Sequence, residues 1–535
     1  MVMTWAGRRA RTRLAVAGVT LGAVVVAAPV ASASTLGGQA AAHGPVAGTT
    51  NGPVRGLANG PVDEFLGIPY AAPPVGALRW QPPQPATSWS GVRDATQFAP
   101  HCPQLATPFG QASTSEDCLF LNVFTPSHRR AGSHFPVMVW IHGGALVTGE
   151  SNDYDPAGLV EDGVTVVTIN YRLGALGFLA HPALADANGQ SGDYGLMDQQ
   201  AALRWVQRNI ASFGGNPRKV TVFGQSAGGL STLSQVASPQ ARRLFERAIV
   251  ESGSYNLTQA SLASAKSAGK AFAVKAGCAS QTAACLRSLP VSTILANQNA
   301  GGYTPNINSE VLPETLGTAF ATGTFNRVPI VNGTNRDEWR LFVALSELRS
   351  GHPLTAANYQ SAISATLGVP AAVAAIIAAK YPLSAFPAPS IALGAVGTDA
   401  IFACPALTID QSVSHFVPTF AYEFSDENAP QNFLPPVSFP YGAAHASEIQ
   451  YLMGLPTAAF PGMLSAQQQQ LAATMKEYWT NFAKRGFPFS FSTPFWPLFN
   501  NLTQKMQSLA PPAPQTETNF ATAHNCAFWT ALAAA

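Results

Sequence analysis

Apolar residues in this chain fall into short unbroken runs separated by stretches with helical spacing. "FPVMVWI" from Phe135, "GVTVVTI" from Gly163 and "KVTVF" from Lys219 are continuous and rich in β-branched or aromatic residues, as strands buried on both faces should be. "DQQAALRWVQRNIASFGG" (Asp198 to Gly215) instead places Ala202, Trp205, Val206 and Ile210 on one side of a helix that Gly214 closes. "FERAIVESGS" and "VPIVNGTN" read as two further strands. Strands alternating with helices predict a mostly parallel sheet wrapped on both faces, with sites at the carboxyl ends of its strands. Residues 258–323 and 352–400, rich in Ala and Ser, read as helical insertions on the side of the site.

Length and composition fit a single large α/β domain. Of 535 residues, 47% are hydrophobic and 11% charged, and the net charge is +2, so no basic stripe points to nucleic acid. The start of the chain reads as an export signal over residues 1–33. "MVMTWAGRRARTR" is its positive region, "LAVAGVTLGAVVVAAPV" its apolar core and "ASA" its cleavage site, while Arg8 and Arg9 make no convincing twin-arginine signal. A flexible segment over 34–50 and one domain over 51–535 are expected to follow, in a secreted protein. After the signal no segment reads as long and apolar enough to cross a bilayer; "AAVAAIIAAK" (371–380) comes nearest. Cys102, Cys118, Cys278, Cys285, Cys404 and Cys526 are even in number and lack metal-site spacing, which in an exported chain points to disulfides. Six cysteines allow fifteen pairings.

The candidate chemistry begins at "GQSAG". Ser226 lies between Gly224 and Gly228, after a strand and before a helical stretch, where small flanking residues permit a sharp corner that presents the hydroxyl. A nucleophilic serine needs a base, an acid that orients the base, and backbone donors for an oxyanion. Small residues after Ile141 (His142, Gly143, Gly144, Ala145) leave N–H groups unshielded, and the N–H of Ala227 follows the serine directly. In the order Ser, acid, His, the base lies downstream. His445, in the small-residue loop "YGAAHASEI", suits that role, whereas His524 beside Cys526 reads as held near a disulfide. Asp337 and Glu338, in the turn after "PIVNGTN", both serve as an acid on chemistry alone.

With these pieces placed, the chain resembles the type-B carboxylesterase/lipase family, α/β-hydrolases that also include the cholinesterases. "FLGIPYAAPPVGALRW", "SEDCLFLNVFTP", "VWIHGGA", "NYRLGALGFL", "GLMDQQAALRWV", "NIASFGGNPRKVTVFGQSAGG" and "HASEI" follow one another in the family's order. The resemblance implies Ser226 as nucleophile, Glu338 rather than Asp337 as acid, His445 as base, and an oxyanion hole of the Gly144, Ala145 and Ala227 amides. It implies disulfides Cys102–Cys118, Cys278–Cys285 and Cys404–Cys526, and structural ion pairs Arg79–Glu116 and Arg172–Asp198. No metal or organic cofactor is implied, and the partner is a small-molecule ester. An interfacial lipase, an acyl transferase and a non-catalytic binding member are the alternatives on the same fold. Three positions depart from the pattern. Gln225 stands where many relatives carry glutamate, Trp339 stands where glycine is common and threatens to crowd the acid's loop, and no tryptophan lies between Cys102 and Cys118. The last argues against choline esters, which need an aromatic there for cation–π attraction.

Overall fold

The computed structural model describes residues 44–130, 132–299 and 302–534. The expected signal, residues 1–33, lies outside the described residues. Eleven strands form the central sheet: β1 Leu57–Asn59, β2 Val62–Pro69, β3 Phe120–Pro126, β4 Phe135–Ile141, β5 Thr165–Ile169, β6 Gly215–Gln225, β7 Arg247–Glu251, β8 Ile330–Asn335, β9 Thr419–Phe424, β10 Met506–Leu509 and β11 Gln515–Glu517. Their spatial order is β1-β2-β3-β5-β4-β6-β7-β8-β9-β10-β11. From β5 through β10 every neighbour is parallel, and the antiparallel pairs are confined to the two ends. This is the α/β-hydrolase fold.

The continuous apolar runs are explained by burial on two faces. In β4, Val137, Val139 and Ile141 join one core with Trp205 and Val206 of helix α1 (Tyr194–Asn209) and Leu230 and Leu233 of helix α2 (Ala227–Ala237). Met138 and Trp140, on the alternate positions, join the opposite core with Met475 and Trp479 of helix α3, Ala466–Arg485. β7 divides in the same way, Ala248 and Val250 against Ile249. A strand sandwiched like this loses the alternation of a half-exposed one.

Two sequence expectations need correction. The flexible segment was expected to run to residue 50, yet Val46–Thr49 is a strand paired with Gly52–Arg55. Ala47 and Val54 are buried against the main core, and Thr50 N donates to Asn209 Oδ1 at the end of α1, which fixes the segment. Pro389–Val413 forms a 25-residue helical run long and apolar enough to cross a membrane, where none was expected after the signal. Most of it is buried in the protein, so it is accounted for as a core element. Asp399 and Pro405 interrupt its pattern in the sequence. In the fold a π-helical turn at Thr398–Ala403 absorbs the break between Pro389–Gly397 and Cys404–Val413.

The disulfides are Cys102–Cys118, Cys278–Cys285 and Cys404–Cys526, the pairs that the resemblance implied. Arg79 binds both oxygens of Glu116, and Arg172 both oxygens of Asp198, at 2.5 to 2.7 Å. Cys404–Cys526 closes the longest interval, a separation of 122 residues, and so restricts the unfolded chain most. Replacing both cysteines by serine is expected to lower unfolding free energy by about 2–5 kcal/mol. Urea denaturation of the double variant beside one lacking Cys278 and Cys285, which are only 7 apart, measures the contrast.

Candidate active site

The corner after β6 is built by close backbone approach. A Cβ on Gly228 would lie 1.9 Å from Ile141 O, and one on Gly224 would lie 2.6 Å from the Gly228 backbone, so neither position admits a side chain. Ser226 takes φ 56° and ψ −122°, a backbone conformation that costs a non-glycine residue on the order of 1–3 kcal/mol. Two hydrogen bonds hold it there: Ser226 N donates to Glu251 O at 2.8 Å, and Leu230 N donates to Ser226 O at 2.9 Å. Strain of this kind persists where surrounding structure over-determines it, which is common at reactive positions. Ser226 is only half-buried, whereas Gln225 and Ala227 on either side are buried.

The glycine loop after β4 touches this corner. A Cβ on Gly143 would lie 3.1 Å from Ser226 Cβ. Gly144 (φ 101°), Ala145 (φ 53°) and Leu146 (φ 59°) turn the chain through left-handed conformations. Val147 N and Thr148 N close the turn on Gly144 O, each at 3.0 Å. Ala227 is the first residue of α2, where a helix leaves its N–H groups without intrahelical acceptors and favours negative charge. His142 is buried, with Nδ1 2.9 Å from Gly143 O and its ring stacked on Tyr171; burial lowers its pKa to about 4, so it stays neutral near pH 7.

Of the two carboxylates left open by sequence, the structure brings only Glu338 to His445. Glu338 Oε2 lies 2.5 Å from His445 Nδ1, while its Oε1 accepts from Thr334 Oγ1 at 2.8 Å and Asn335 N at 2.7 Å. Asp337, one residue earlier, turns away: Oδ2 accepts from Ala443 N at 3.0 Å and Oδ1 pairs with Arg340 at 2.8 Å. It therefore braces the loop that carries His445. The distal Nε2 of His445 is buried and has no hydrogen-bond partner among the described residues. His524 belongs elsewhere, its ring bridging Asp399 and Glu423 at 2.6 Å each, next to Cys404. Burial opposes a charge on His524, but the hydrogen bonds and charges of those two carboxylates raise its pKa to about 10.

Several residues near the site carry no functional signal in the sequence. Phe402, on the π-helical turn, and Phe342 lie with ring centroids 5.0 and 5.3 Å from that of His445. Trp339 does not crowd the acid's loop: its indole packs tilted against Phe342, centroids 4.5 Å apart, and fills the space over Gly397, where a Cβ would lie 2.1 Å from the ring. Glu448 appears in the sequence only as part of "HASEI", yet its Oε2 accepts from Asn335 Nδ2 at 2.5 Å. Glu251 accepts from Trp479 Nε1 at 2.7 Å. Both are fully buried. Burial, then the charge of Glu338, raises Glu448 to about 7; burial, then the charge of Glu448, raises Glu251 to about 8. Gln225, opposite Glu251 in the β6–β7 register, adds no further charge to this group.

These carboxyls bind protons more tightly folded than unfolded. Their stabilising contribution is therefore full below the ordinary carboxyl value of 4.5 and is lost as pH rises through 7 and 8. Glu251→Gln is expected to flatten the fall in unfolding free energy between pH 5 and 8.5 by on the order of a few kcal/mol. Urea titrations at the two pH values read this directly, and an unchanged slope would remove Glu251 as its source.

A serine on a strained strand-to-helix corner of this sheet, with a histidine and buried glutamate at the carboxyl ends of nearby strands, defines an α/β-fold hydrolase. The Carboxylesterase family profile matches residues 43–529. Among curated proteins, an acylcarnitine hydrolase of Mus musculus is 35% identical over 478 residues, covering 84% of this chain and 83% of its own length. A cocaine esterase of Homo sapiens is 35% identical over 494 residues (87% and 86%), and carboxylesterase 1C of Rattus norvegicus 34% over 509 (88% and 89%). The chain belongs to the carboxylesterase family and is a carboxylic ester hydrolase.

Proposed function

We propose that the protein is an exported serine carboxylesterase that works through Ser226, His445 and Glu338. The observation that carries this reading is the pairing of His445 Nδ1 with Glu338 Oε2, which fixes the imidazole and leaves Nε2 as the proton-accepting nitrogen. His445 takes the proton of Ser226 as Oγ bonds to the ester carbonyl carbon. The Gly144, Ala145 and Ala227 amides receive the charge that develops on the carbonyl oxygen. Collapse expels the alcohol, protonated by His445, and leaves an acyl-serine. Water, deprotonated by the same nitrogen, then releases the acid and restores Ser226.

Export rests on residues 1–33 and is supported by three disulfides, which need an oxidising compartment. The reading is tested by labelling the protein with a fluorophosphonate and locating the adduct by peptide mass spectrometry. An adduct on Ser226 is expected, and labelling of another serine would overturn the assignment. Partition of the acyl group to added alcohol would favour a transferase. A jump in rate above the substrate's solubility limit would favour a lipase.

A further inference from the structure

The edge of the sheet opposite Ser226, at the amino ends of the parallel strands, carries two features that ester hydrolysis does not use. The first is an apolar loop after α3. Phe491 is fully exposed and Leu502 is 97% exposed, with Phe487, Phe495 and Leu498 also exposed. The loop is not loosely attached. Trp496 Nε1 donates to Ala421 O at 3.0 Å, Phe499 N to Thr419 O at 2.8 Å, and Tyr478 OH to Pro494 O at 2.8 Å. Large apolar side chains on a tethered segment, grouped and facing water, mark an interaction surface. Exposed Arg485 and Lys505 flank it, and neither makes a side-chain hydrogen bond or ion pair among the described residues.

The second feature is a cleft of about 1140 Å³ lined by Arg218, Arg242, Arg243, Arg247 and Arg327. In a chain with only 11% charged residues this is a dense concentration of one sign, opposed in the lining by Glu246 and Glu314. Glu314 is engaged by the Thr324 hydroxyl, and Glu246 comes no nearer than 3.8 Å to Arg247. Arg218, Arg242 and Arg243 have no side-chain partner among the described residues, and Nε and Nη1 of Arg247 are buried without a hydrogen bond, the loose contact with Glu246 being the only ion pair Arg247 makes among them. Arg247 is also the link between the two features, because a Cβ on Gly486, the residue before Phe487, would lie 3.3 Å from its Nε. The cleft is separate from the proposed catalytic residues, none of which lines it.

We propose that this edge docks on an anionic lipid surface, with the phenylalanine loop entering the headgroup layer and the arginine cleft binding lipid phosphates. Unpaired guanidiniums beside exposed aromatic and leucine side chains complement a surface that is anionic outside and apolar beneath, whereas a purely polar anion would leave the loop unused. Docked this way, the protein holds Ser226, at the opposite ends of the strands, away from the membrane and takes its ester from solution. The inference stands apart from the assignment of the catalytic residues.

The test is co-sedimentation of the full mature protein with phosphatidylglycerol vesicles and, separately, phosphatidylcholine vesicles. Binding to phosphatidylglycerol that weakens in 0.5 M salt is expected, with much weaker binding to phosphatidylcholine. Phe491→Ser and the pair Arg242→Gln/Arg243→Gln should each reduce partition about tenfold or more, with hydrolysis of a soluble ester retained as evidence of folding. Absence of vesicle binding, or binding indifferent to lipid charge and to the arginine pair, overturns the proposal. So does titration of inorganic phosphate into the cleft without vesicle binding, which would make it a site for free anions. Sedimentation velocity showing a dimer that Phe491→Ser dissociates, again without vesicle binding, would assign the face to a second copy of this chain.

Discussion

Ser226→Ala is expected to reduce kcat for nitrophenyl esters by about 10⁴- to 10⁶-fold while leaving the protein folded. The hydroxyl is the proposed attacking atom, and in a site whose members act as a unit nothing else supplies one. The corner tolerates the change sterically, since alanine keeps the Cβ that already lies beside Gly143. Activity residing in the amides and in binding alone should remain measurable above the rate in water. A series from acetate to palmitate, run on both proteins, gives the loss and the chain-length profile together. Equal rates in the two proteins would remove Ser226 from the chemistry.

The second large effect separates neighbours. Glu338→Gln keeps the shape of the side chain but replaces the charge facing His445 Nδ1 with an amide, favouring the wrong tautomer; a loss on the order of 10⁴-fold in kcat is expected. Asp337→Asn should leave kcat within about tenfold and act on stability instead, by about 1–3 kcal/mol, because Asp337 is spent on Ala443 N and Arg340. Steady-state kinetics beside urea denaturation of the two variants makes the distinction. The opposite pattern would exchange the roles of the two residues.

That choice between adjacent carboxylates shows where reading the chain stops. Strands buried on both faces announce themselves as unbroken apolar runs, and a corner that admits no Cβ announces itself as paired glycines, so the sheet and the sharp corner at residue 226 were legible. Asp337 and Glu338 differ by one methylene and one position, and their separate fates are set by a turn and by a loop more than a hundred residues away. Family resemblance favoured Glu338 where chemistry alone did not. Phe402 was silent because an aromatic residue in an apolar helix looks like any core residue. Glu251 and Glu448 were silent because their interest lies in being buried near one another, which spacing does not encode. Trp339 was misjudged since the empty space above Gly397 that receives it is a property of two elements and not of either.

The π-helical turn at Thr398–Ala403 ties these distant parts together. One side chain of the turn, Phe402, walls the ring of His445, and another, Asp399, grips His524 beside the bridge from Cys404 to Cys526. The segment carrying His524 and Cys526 is thus joined through a single irregular turn to the residue proposed to move protons. The segment around His524 and Cys526 is a keystone for the wall of the site, so its docking belongs to the assembly of a working centre as much as the corner at Ser226 does.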